Sequence, residues 1–243
     1  MLKVVSLDLW DTIIEDDSNL EEKRGEIRIN KLYEYLAPLN ISKDKIKEAY
    51  EKMSEWLFST QKKSEKSINI SKQIYYIFKL FQMVPNGPIL EDIKMGYETA
   101  IFDVPPKLID NVEPFLEKLK KLNLKLCILS DAGRTPGWAL KEILNRYKIL
   151  DYFDKVFFSD EIGFVKPNKN SFNRIIKEFN VEKEEVVHIG DSLEKDVLGA
   201  KNFGINYIYF SKDKINKIEP SGKNFDEIYK VLIKNFVVET SLF

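Results

Sequence analysis

The chain has only one cysteine and one histidine among its 243 residues. A lone cysteine, Cys127, cannot form an intrachain disulfide, so a reducing compartment is the natural expectation. Cys127 sits inside an apolar run, which predicts a small core residue rather than a reactive thiol. The single histidine, His188, is predicted to lie within a strand, where packing is a better interpretation than catalysis.

Long apolar runs and a net charge are also missing. No apolar stretch approaches the ~20 residues that span a bilayer, and the N-terminus lacks the layout of a signal peptide. The 38 basic and 39 acidic residues leave a formal charge of −1, which gives no case for broad nucleic-acid binding. We therefore expect a cytoplasmic protein with neither membrane nor nucleic-acid partners. Its oligomeric state remains open.

The second half of the chain alternates between helical and strand patterns. Apolar runs separated by amphipathic helices predict parallel strands joined by right-handed crossovers. The first apolar run belongs to the same sheet. The predicted fold is α/β, a Rossmann-like parallel sheet core with helices on both faces. Strands are expected at residues 3–7, 124–129, 155–158, 186–189 and 205–210.

The segment between the first strand and the rest is helical throughout. Its apolar residues recur at helical spacing, and the segment has no period-two alternation. This pattern indicates a compact four-helix unit. Its helices are predicted at residues 19–36, 42–58, 71–82 and 89–101, with a loop over 64–69. The chain thus divides into an α/β core, residues 1–16 and 104–243, and an inserted helical cap, residues 17–103.

Polar side chains stand where the apolar strands end. Asp8 follows the first strand, Ser130 ends the second, and Asp191 follows the strand at 186–189. Lys166 lies in a loop close behind another strand. Ligands of open parallel sheets bind at the carboxyl ends of the strands. The topology therefore brings two carboxylates, a hydroxyl and an ammonium group into one crevice.

Four stretches in this order carry a family resemblance. They are Asp8-Leu-Trp-Asp-Thr12, Ile128-Leu-Ser130, Lys166-Pro167 and Gly190-Asp-Ser-Leu-Glu-Lys-Asp196. Each alone is weak evidence, but four in order across the chain are specific. The sequence resembles the haloacid dehalogenase-like (HAD) hydrolase superfamily, in the form that carries an α-helical cap after the first motif.

The resemblance implies roles for the residues of the crevice. Asp8 would attack phosphorus and form an aspartyl-phosphate that water then hydrolyses. Ser130 and backbone N–H groups after it, at Asp131, would bind the phosphoryl oxygens. Lys166 would pair with Asp8 and the phosphoryl group and keep Asp8 ionised. Thr12 would stabilise the turn and orient Asp8 beside the substrate.

The resemblance also implies a metal site. Asp191, helped by Asp196, would hold Mg²⁺ together with Asp8 and the backbone carbonyl of Trp10. A hard ion suits this set of carboxylates, a carbonyl and waters better than it suits a site rich in nitrogen or sulfur.

One position departs from the pattern of the phosphatases. They usually carry a second aspartate two residues after the nucleophile, as general acid and base, and here that position is Trp10. Loss of acid–base help typically costs ~10²–10⁴ in rate. The substitutes within the sequence are Asp11, which we place among the catalytic candidates, then Asp131 and the cap carboxylates Asp16 and Asp17.

Three functions stay open at this stage. A Mg²⁺-dependent phosphatase acting on a small phosphorylated metabolite is favoured, because Asp191 and Asp196 are retained and a metal has an obvious use in phosphoryl transfer. A 2-haloacid dehalogenase would explain Trp10, because displacing halide needs no leaving-group acid. A non-catalytic member that binds phosphate or a partner is the third reading. The physiological substrate does not follow from the sequence.

Overall fold

The computed structural model describes residues 1–17, 19–211 and 218–237. The tail after residue 237, whose packing the sequence left open, lies outside these ranges. In the described part of the chain, no helix combines the length and apolarity that crossing a membrane requires.

A parallel sheet forms the centre of the described structure. The strands are β1 Val4–Leu7, β2 Ile14–Glu15, β3 Lys107–Leu108, β4 Lys125–Ser130, β5 Lys155–Phe158, β6 Val186–Gly190, β7 Asn206–Phe210 and β8 Ser221–Gly222. Six of the described strands form one sheet in the order β5-β4-β1-β6-β7-β8, and their pairings are parallel. Every residue of β1 is buried, as a central strand covered on both faces requires.

Helices cover both faces of the sheet. The α-helices of the described residues are α1 Leu20–Leu36, α2 Lys43–Ser64, α3 Ile70–Leu80, α4 Gly87–Asp103, α5 Val112–Lys121, α6 Gly137–Arg146, α7 Ser159–Ile162, α8 Lys169–Phe179, α9 Gly199–Phe203 and α10 Phe225–Phe236. Successive side chains of a strand point to opposite faces. Val5 packs in a cluster with Phe115 of α5, whereas Val4 packs in another with Phe172 of α8. The predicted α/β class is confirmed.

Helices α1 to α4 occupy the predicted insertion and share an apolar cluster of their own. The second helix is longer than predicted, because α2 continues past Phe58 to Ser64. Its start is fixed by Ser42, whose hydroxyl accepts the Lys45 N–H, and it ends where Glu65 adopts a left-handed φ of 53°. The predicted end at residue 58 was wrong. The residues that follow are polar, and their pattern does not show that the last helical turn buries Gln61. The exact division into cap and core stays a prediction.

The two ends of the insertion are tied together by a pairing that the sequence did not predict. Strands β2 and β3 pair antiparallel, with Ile14 opposite Leu108. Strands of two residues are too short to produce a detectable period. The same holds for β8. After β6 the chain forms a π-helical segment, Leu193–Leu198, which leads into α9.

Candidate active site

Strands β1, β4 and β6 deliver the predicted polar residues to one edge of the sheet. Asp8 follows β1 directly, and its N–H donates to the Ile189 carbonyl of β6 at 2.9 Å. Ser130 is the last residue of β4, and Asp191 comes directly after β6. Asp8 is almost fully buried, with 7% of the residue's surface exposed. The crevice predicted from the strand ends is therefore present.

Lys166 lies between two carboxylates in this crevice. Its Nζ is 2.7 Å from Asp8 Oδ1 and 2.5 Å from Asp196 Oδ1. Burial would lower the pKa of Lys166, but Asp196 and Asp8 outweigh burial and raise it above its ordinary value. Lys166 therefore stays an ammonium group, and its backbone N–H donates to Asp131 Oδ1 at 2.9 Å.

Asp196 is held on both of its oxygens. Oδ1 contacts Lys166 and also lies 2.9 Å from His188 Nε2, while Oδ2 accepts the Ser192 N–H at 2.9 Å. Ser6 Oγ lies 2.9 Å from the other ring nitrogen of His188 and fixes the ring. Burial would raise the pKa of Asp196, but Lys166 and His188 lower it well below its ordinary value. This is the geometry of a carboxylate that positions Lys166.

The close approach of Asp196 to β6 explains Gly190. A Cβ atom built on Gly190 would lie 2.3 Å from Asp196 Cγ, which no side chain tolerates. The glycine is therefore needed for space at this position and not for its backbone conformation.

Three carboxylates meet where the metal was predicted. Asp8, Asp191 and Asp196 each offer one oxygen, and the three oxygens lie within 4.8 Å of one another. Burial raises the pKa of Asp191 to about 7, and the charges of Asp8, Asp196 and Asp11 add to the rise. Burial also raises the pKa of Asp8, and Lys166 opposes this rise without reversing it. An all-oxygen, mutually repelling set of this kind fits a hard divalent cation such as Mg²⁺. Whether Asp196 or the Trp10 carbonyl is a ligand stays a prediction.

The residues predicted to bind substrate lie around this cluster. Ser130 Oγ is buried and has no hydrogen-bond partner within the described residues. Thr12 is fully buried, and its hydroxyl is 3.5 Å from Asp191 Oδ1. Asp131 Oδ2 is 2.9 Å from Lys195 Nζ. Ser130 thus retains a donor for a ligand, whereas Thr12 contacts Asp191.

The Trp10 side chain contacts the insertion. The Arg24 guanidinium of α1 lies 5.6 Å from the centroid of its ring, a cation–π distance. The next residue, Asp11, has a left-handed φ of 56°, and its charge acts on Asp191. Non-glycine residues in this conformation cluster at functional sites. The first motif thus directs Trp10 to the cap, while Asp11 is exposed beside it.

The other candidates for the missing acid have basic partners. Asp16 forms an ion pair with the buried Arg24. Asp17 pairs with Lys107 at 2.5 Å, and both side chains are more than half exposed.

A cleft between the insertion and the sheet edge opens beside these residues. It has a volume of about 380 Å³. Four of its lining residues lie outside the motifs and were not predicted from the sequence. They come from α1, α2 and the loop after β4: Glu21, Phe58, Gln61 and Arg134.

Glu21 connects the basic side chains around this cleft. It pairs with Arg24 at 3.0 Å, with Arg28 at 3.2 Å and with Arg134 at 2.8 Å. Burial would raise the pKa of Glu21, but Arg28, Arg134 and Arg24 outweigh burial and lower it. Arg28 also donates to Thr135 Oγ1 at 3.1 Å. This network joins the first cap helix to the loop after β4.

Known proteins resemble the chain over most of its length. A glyceraldehyde 3-phosphate phosphatase from Pyrococcus abyssi is 26% identical over 214 residues, which cover 88% of this chain and 83% of that protein. The crystal structure of a HAD phosphatase from Thermococcus onnurineus has a TM-score of 0.66 at 24% identity and covers 95% of this chain and 98% of that one. A 2-haloacid dehalogenase from Pseudomonas syringae has a TM-score of 0.73 at 19% identity, over 96% and 99%. These two structures support the fold alone.

A family model described as haloacid dehalogenase-like hydrolase matches residues 2–204. The match contains all four motifs and the insertion. This chain belongs to the haloacid dehalogenase-like hydrolase family.

Proposed function

We propose that the protein is a Mg²⁺-dependent phosphomonoester hydrolase that acts on a small phosphorylated metabolite. The observation that carries the proposal is the meeting of the buried Asp8 and Lys166 with the half-buried Asp191 at one sheet edge. The relatives named as glyceraldehyde 3-phosphate phosphatases support the same reaction class.

Asp8 is the nucleophile of the proposed reaction. One carboxylate oxygen of Asp8 attacks phosphorus, the bond to the leaving oxygen breaks, and an aspartyl-phosphate forms. A water molecule then attacks phosphorus, releasing phosphate and restoring the carboxylate. The burial of Asp8 keeps bulk water from competing for this carboxylate.

Lys166 and Ser130 bind the phosphoryl group. The Lys166 ammonium, held 2.7 Å from Asp8, offsets the negative charge that gathers on the phosphoryl oxygens in the transition state. The Ser130 hydroxyl has no hydrogen-bond partner within the described residues. It donates a hydrogen bond to a phosphoryl oxygen. Asp196 and His188 fix the position of Lys166 and touch no reacting atom.

The carboxylates of Asp8 and Asp191 would hold Mg²⁺, with the Trp10 carbonyl as a further ligand by resemblance to the family. When bound, the ion offsets charge on the phosphoryl oxygens. Thr12 orients Asp191 through its hydroxyl.

Asp11 takes the place of the missing acid in this proposal. Its carboxylate lines the cleft beside Trp10 and is near enough to raise the pKa of Asp191. As a general acid it gives a proton to the leaving oxygen, and as a base it then takes one from the attacking water.

The dehalogenase alternative is less well supported. It accounts for Trp10 and can use Asp8 as the nucleophile, but it gives Asp191 and a metal site at this carboxylate cluster no task. The two functions predict opposite metal dependence, so one experiment separates them.

The experiment is phosphate release from p-nitrophenyl phosphate with Mg²⁺ and with a chelator. The wild-type protein and an Asp110→Asn control, changed at an exposed site, should turn over only with Mg²⁺, and Asp8→Asn should not. Turnover no higher than that of Asp8→Asn would refute the proposal. Metal-independent chloride release from 2-chloropropionate would replace it with the dehalogenase reaction.

A further inference from the structure

Gln61 is a buried polar residue without an assigned task. It lies in the last turn of α2, with 7% of its surface exposed. Its Nε2 atom is buried and has no hydrogen-bond partner in the described part of the chain. A buried amide donor without an acceptor destabilises the folded protein. An unmade bond of this kind next to a cleft points to a ligand.

The position of Gln61 connects the reacting groups to the cleft. Gln61 lines the cleft of about 380 Å³ that contains Trp10 and Asp11. It also lines an adjoining cavity of about 200 Å³ that contains Lys166. Phe58, one helical turn earlier, lines both spaces and is 48% exposed. The last turn of α2 therefore lies where the organic part of a phosphate ester would extend if its phosphoryl group were bound at Asp8 and Lys166.

The cations around these two spaces already have carboxylate partners. Arg134 pairs with Glu21 at 2.8 Å, and Lys195 pairs with Asp131 at 2.9 Å.

The other two described cations that line these spaces also pair with carboxylates. Lys62 pairs with Glu194 at 2.9 Å, and Lys166 is held by Asp8 and Asp196. A carboxylate on the organic part of a substrate would therefore have to displace an existing ion pair. An uncharged oxygen meets no such obstacle.

We propose that Gln61 is a specificity-determining residue whose amide N–H binds a hydroxyl or carbonyl oxygen on the uncharged organic part of the substrate. The inference rests on the proposed phosphatase function and deepens it. The preferred substrates are phosphate monoesters of small neutral hydroxy or carbonyl compounds. Phosphate monoesters of small carboxylic acids are disfavoured, because the cations of α2 and of the loop after β4 already pair with carboxylates of the protein.

The test compares three phosphate monoesters with wild-type protein, Gln61→Leu and a control. The esters are glyceraldehyde 3-phosphate, which has neutral oxygen acceptors, 2-phosphoglycolate, which has a carboxylate, and phenyl phosphate, whose phenyl group has no acceptor. Lys63→Leu is the matched control, because it introduces the same side chain at an exposed position on the same turn. The quantity measured is kcat/KM for each ester with Mg²⁺.

We expect wild type to prefer glyceraldehyde 3-phosphate to 2-phosphoglycolate. Gln61→Leu should lower kcat/KM for glyceraldehyde 3-phosphate roughly 3- to 10-fold, the effect of one lost neutral hydrogen bond. It should leave phenyl phosphate within about 2-fold of wild type by the same reasoning. The loss should appear mainly in KM if the bond is equally strong in the ground state and the transition state.

Thermal unfolding provides the second readout. Gln61→Leu removes an unpaired buried donor, so its melting temperature should equal or exceed that of wild type. A lower melting temperature would mean that Gln61 is a structural residue and would overturn the assignment. An equal loss of activity on all three esters, or no loss on glyceraldehyde 3-phosphate, would also overturn it. Wild-type inertness toward all three esters, with turnover of p-nitrophenyl phosphate retained, would overturn the inference alone. Inertness toward p-nitrophenyl phosphate as well would refute the proposed function, and the inference with it.

Discussion

Asp196 Oδ1 lies 2.5 Å from Lys166 Nζ, a shorter distance than the 2.7 Å that separates this ammonium from Asp8. The lysine of the site is thus held at least as closely by a carboxylate outside the reaction as by the nucleophile. His188 and the Ser192 N–H hold that carboxylate in turn. We therefore propose that Asp196 positions the ammonium group that faces Asp8.

Asp196→Asn should weaken both activity and stability. The substitution leaves His188 with a neutral partner, whereas Lys166 keeps its ion pair with Asp8. The stability loss should therefore be smaller than the about 3–5 kcal/mol of a buried charge left unpaired. We expect kcat for p-nitrophenyl phosphate to fall about 10- to 100-fold, as for other residues that orient a metal or catalytic group. Urea unfolding and steady-state kinetics measure the two effects. The Asp110→Asn control should change neither, and unchanged kcat in Asp196→Asn would contradict the positioning role.

Gly190→Ala should reproduce part of this defect without altering any charge. The new Cβ would lie 2.3 Å from Asp196 Cγ, so the carboxylate must move. Overpacking of this kind costs about 1–3 kcal/mol. We expect a lower kcat together with a lower melting temperature. Gly87→Ala is the matched control, since a Cβ there meets nothing within 4 Å. A fully active Gly190→Ala would show that the position of Asp196 does not matter.

The role of Asp11 predicts a dependence on the leaving group. Asp11→Asn removes the proposed acid, which alkyl phosphates need and p-nitrophenyl phosphate hardly needs. We expect kcat for glycerol 3-phosphate to fall by about 10²-fold or more. The fall for p-nitrophenyl phosphate should be much smaller, because its leaving group departs unprotonated. Similar losses on both esters would assign Asp11 a structural or metal-related role.

Asp154 predicts how acid affects the stability of the core. Burial would raise its pKa, but hydrogen bonds from Lys125, the Leu126 N–H and Lys120 lower it to about 2, from an ordinary value of 3.8. A carboxyl whose pKa is lower in the folded state stabilises the protein above its unfolded-state pKa. That contribution is lost as the pH falls from about 4 to about 2.

Asp154→Asn should therefore lower the free energy of unfolding at pH 7 by about 1–2 kcal/mol. This is the size expected for hydrogen bonds and ion pairs to a carboxylate that is partly exposed. The difference from wild type should shrink toward pH 2. Urea titrations at several pH values measure it. A difference independent of pH would mean that the ionised Asp154 is not the stabilising form.

The strand ends of the site could be predicted from the sequence, and the contacts behind them could not. Asp8, Ser130 and Asp191 follow apolar runs, and parallel pairing places such positions at one edge. The bond from Lys166 to Asp196 depends on where a loop and a π-helical turn meet in space. The periodicity of a sequence does not predict contacts between such distant segments.

Trp10 and Gln61 show a second limit of the sequence. Trp10 was a departure from the motif with no physical account, and its contact with Arg24 depends on how α1 packs. Gln61 stands among polar residues that are typical of a solvated surface, yet the last turn of α2 buries it. Burial of one side chain in a polar segment is set by tertiary packing, which binary patterning does not encode.

In the proposed reaction Asp8 carries the phosphoryl group during turnover. The most direct measurement is acid quenching of the protein during turnover of p-nitrophenyl phosphate with Mg²⁺, followed by peptide mapping by mass spectrometry. We predict one added phosphoryl group on the peptide that contains Asp8, and no such adduct in Asp8→Asn. Turnover by Asp8→Asn at the wild-type rate, or a phosphoryl group found on another residue, would contradict the claim.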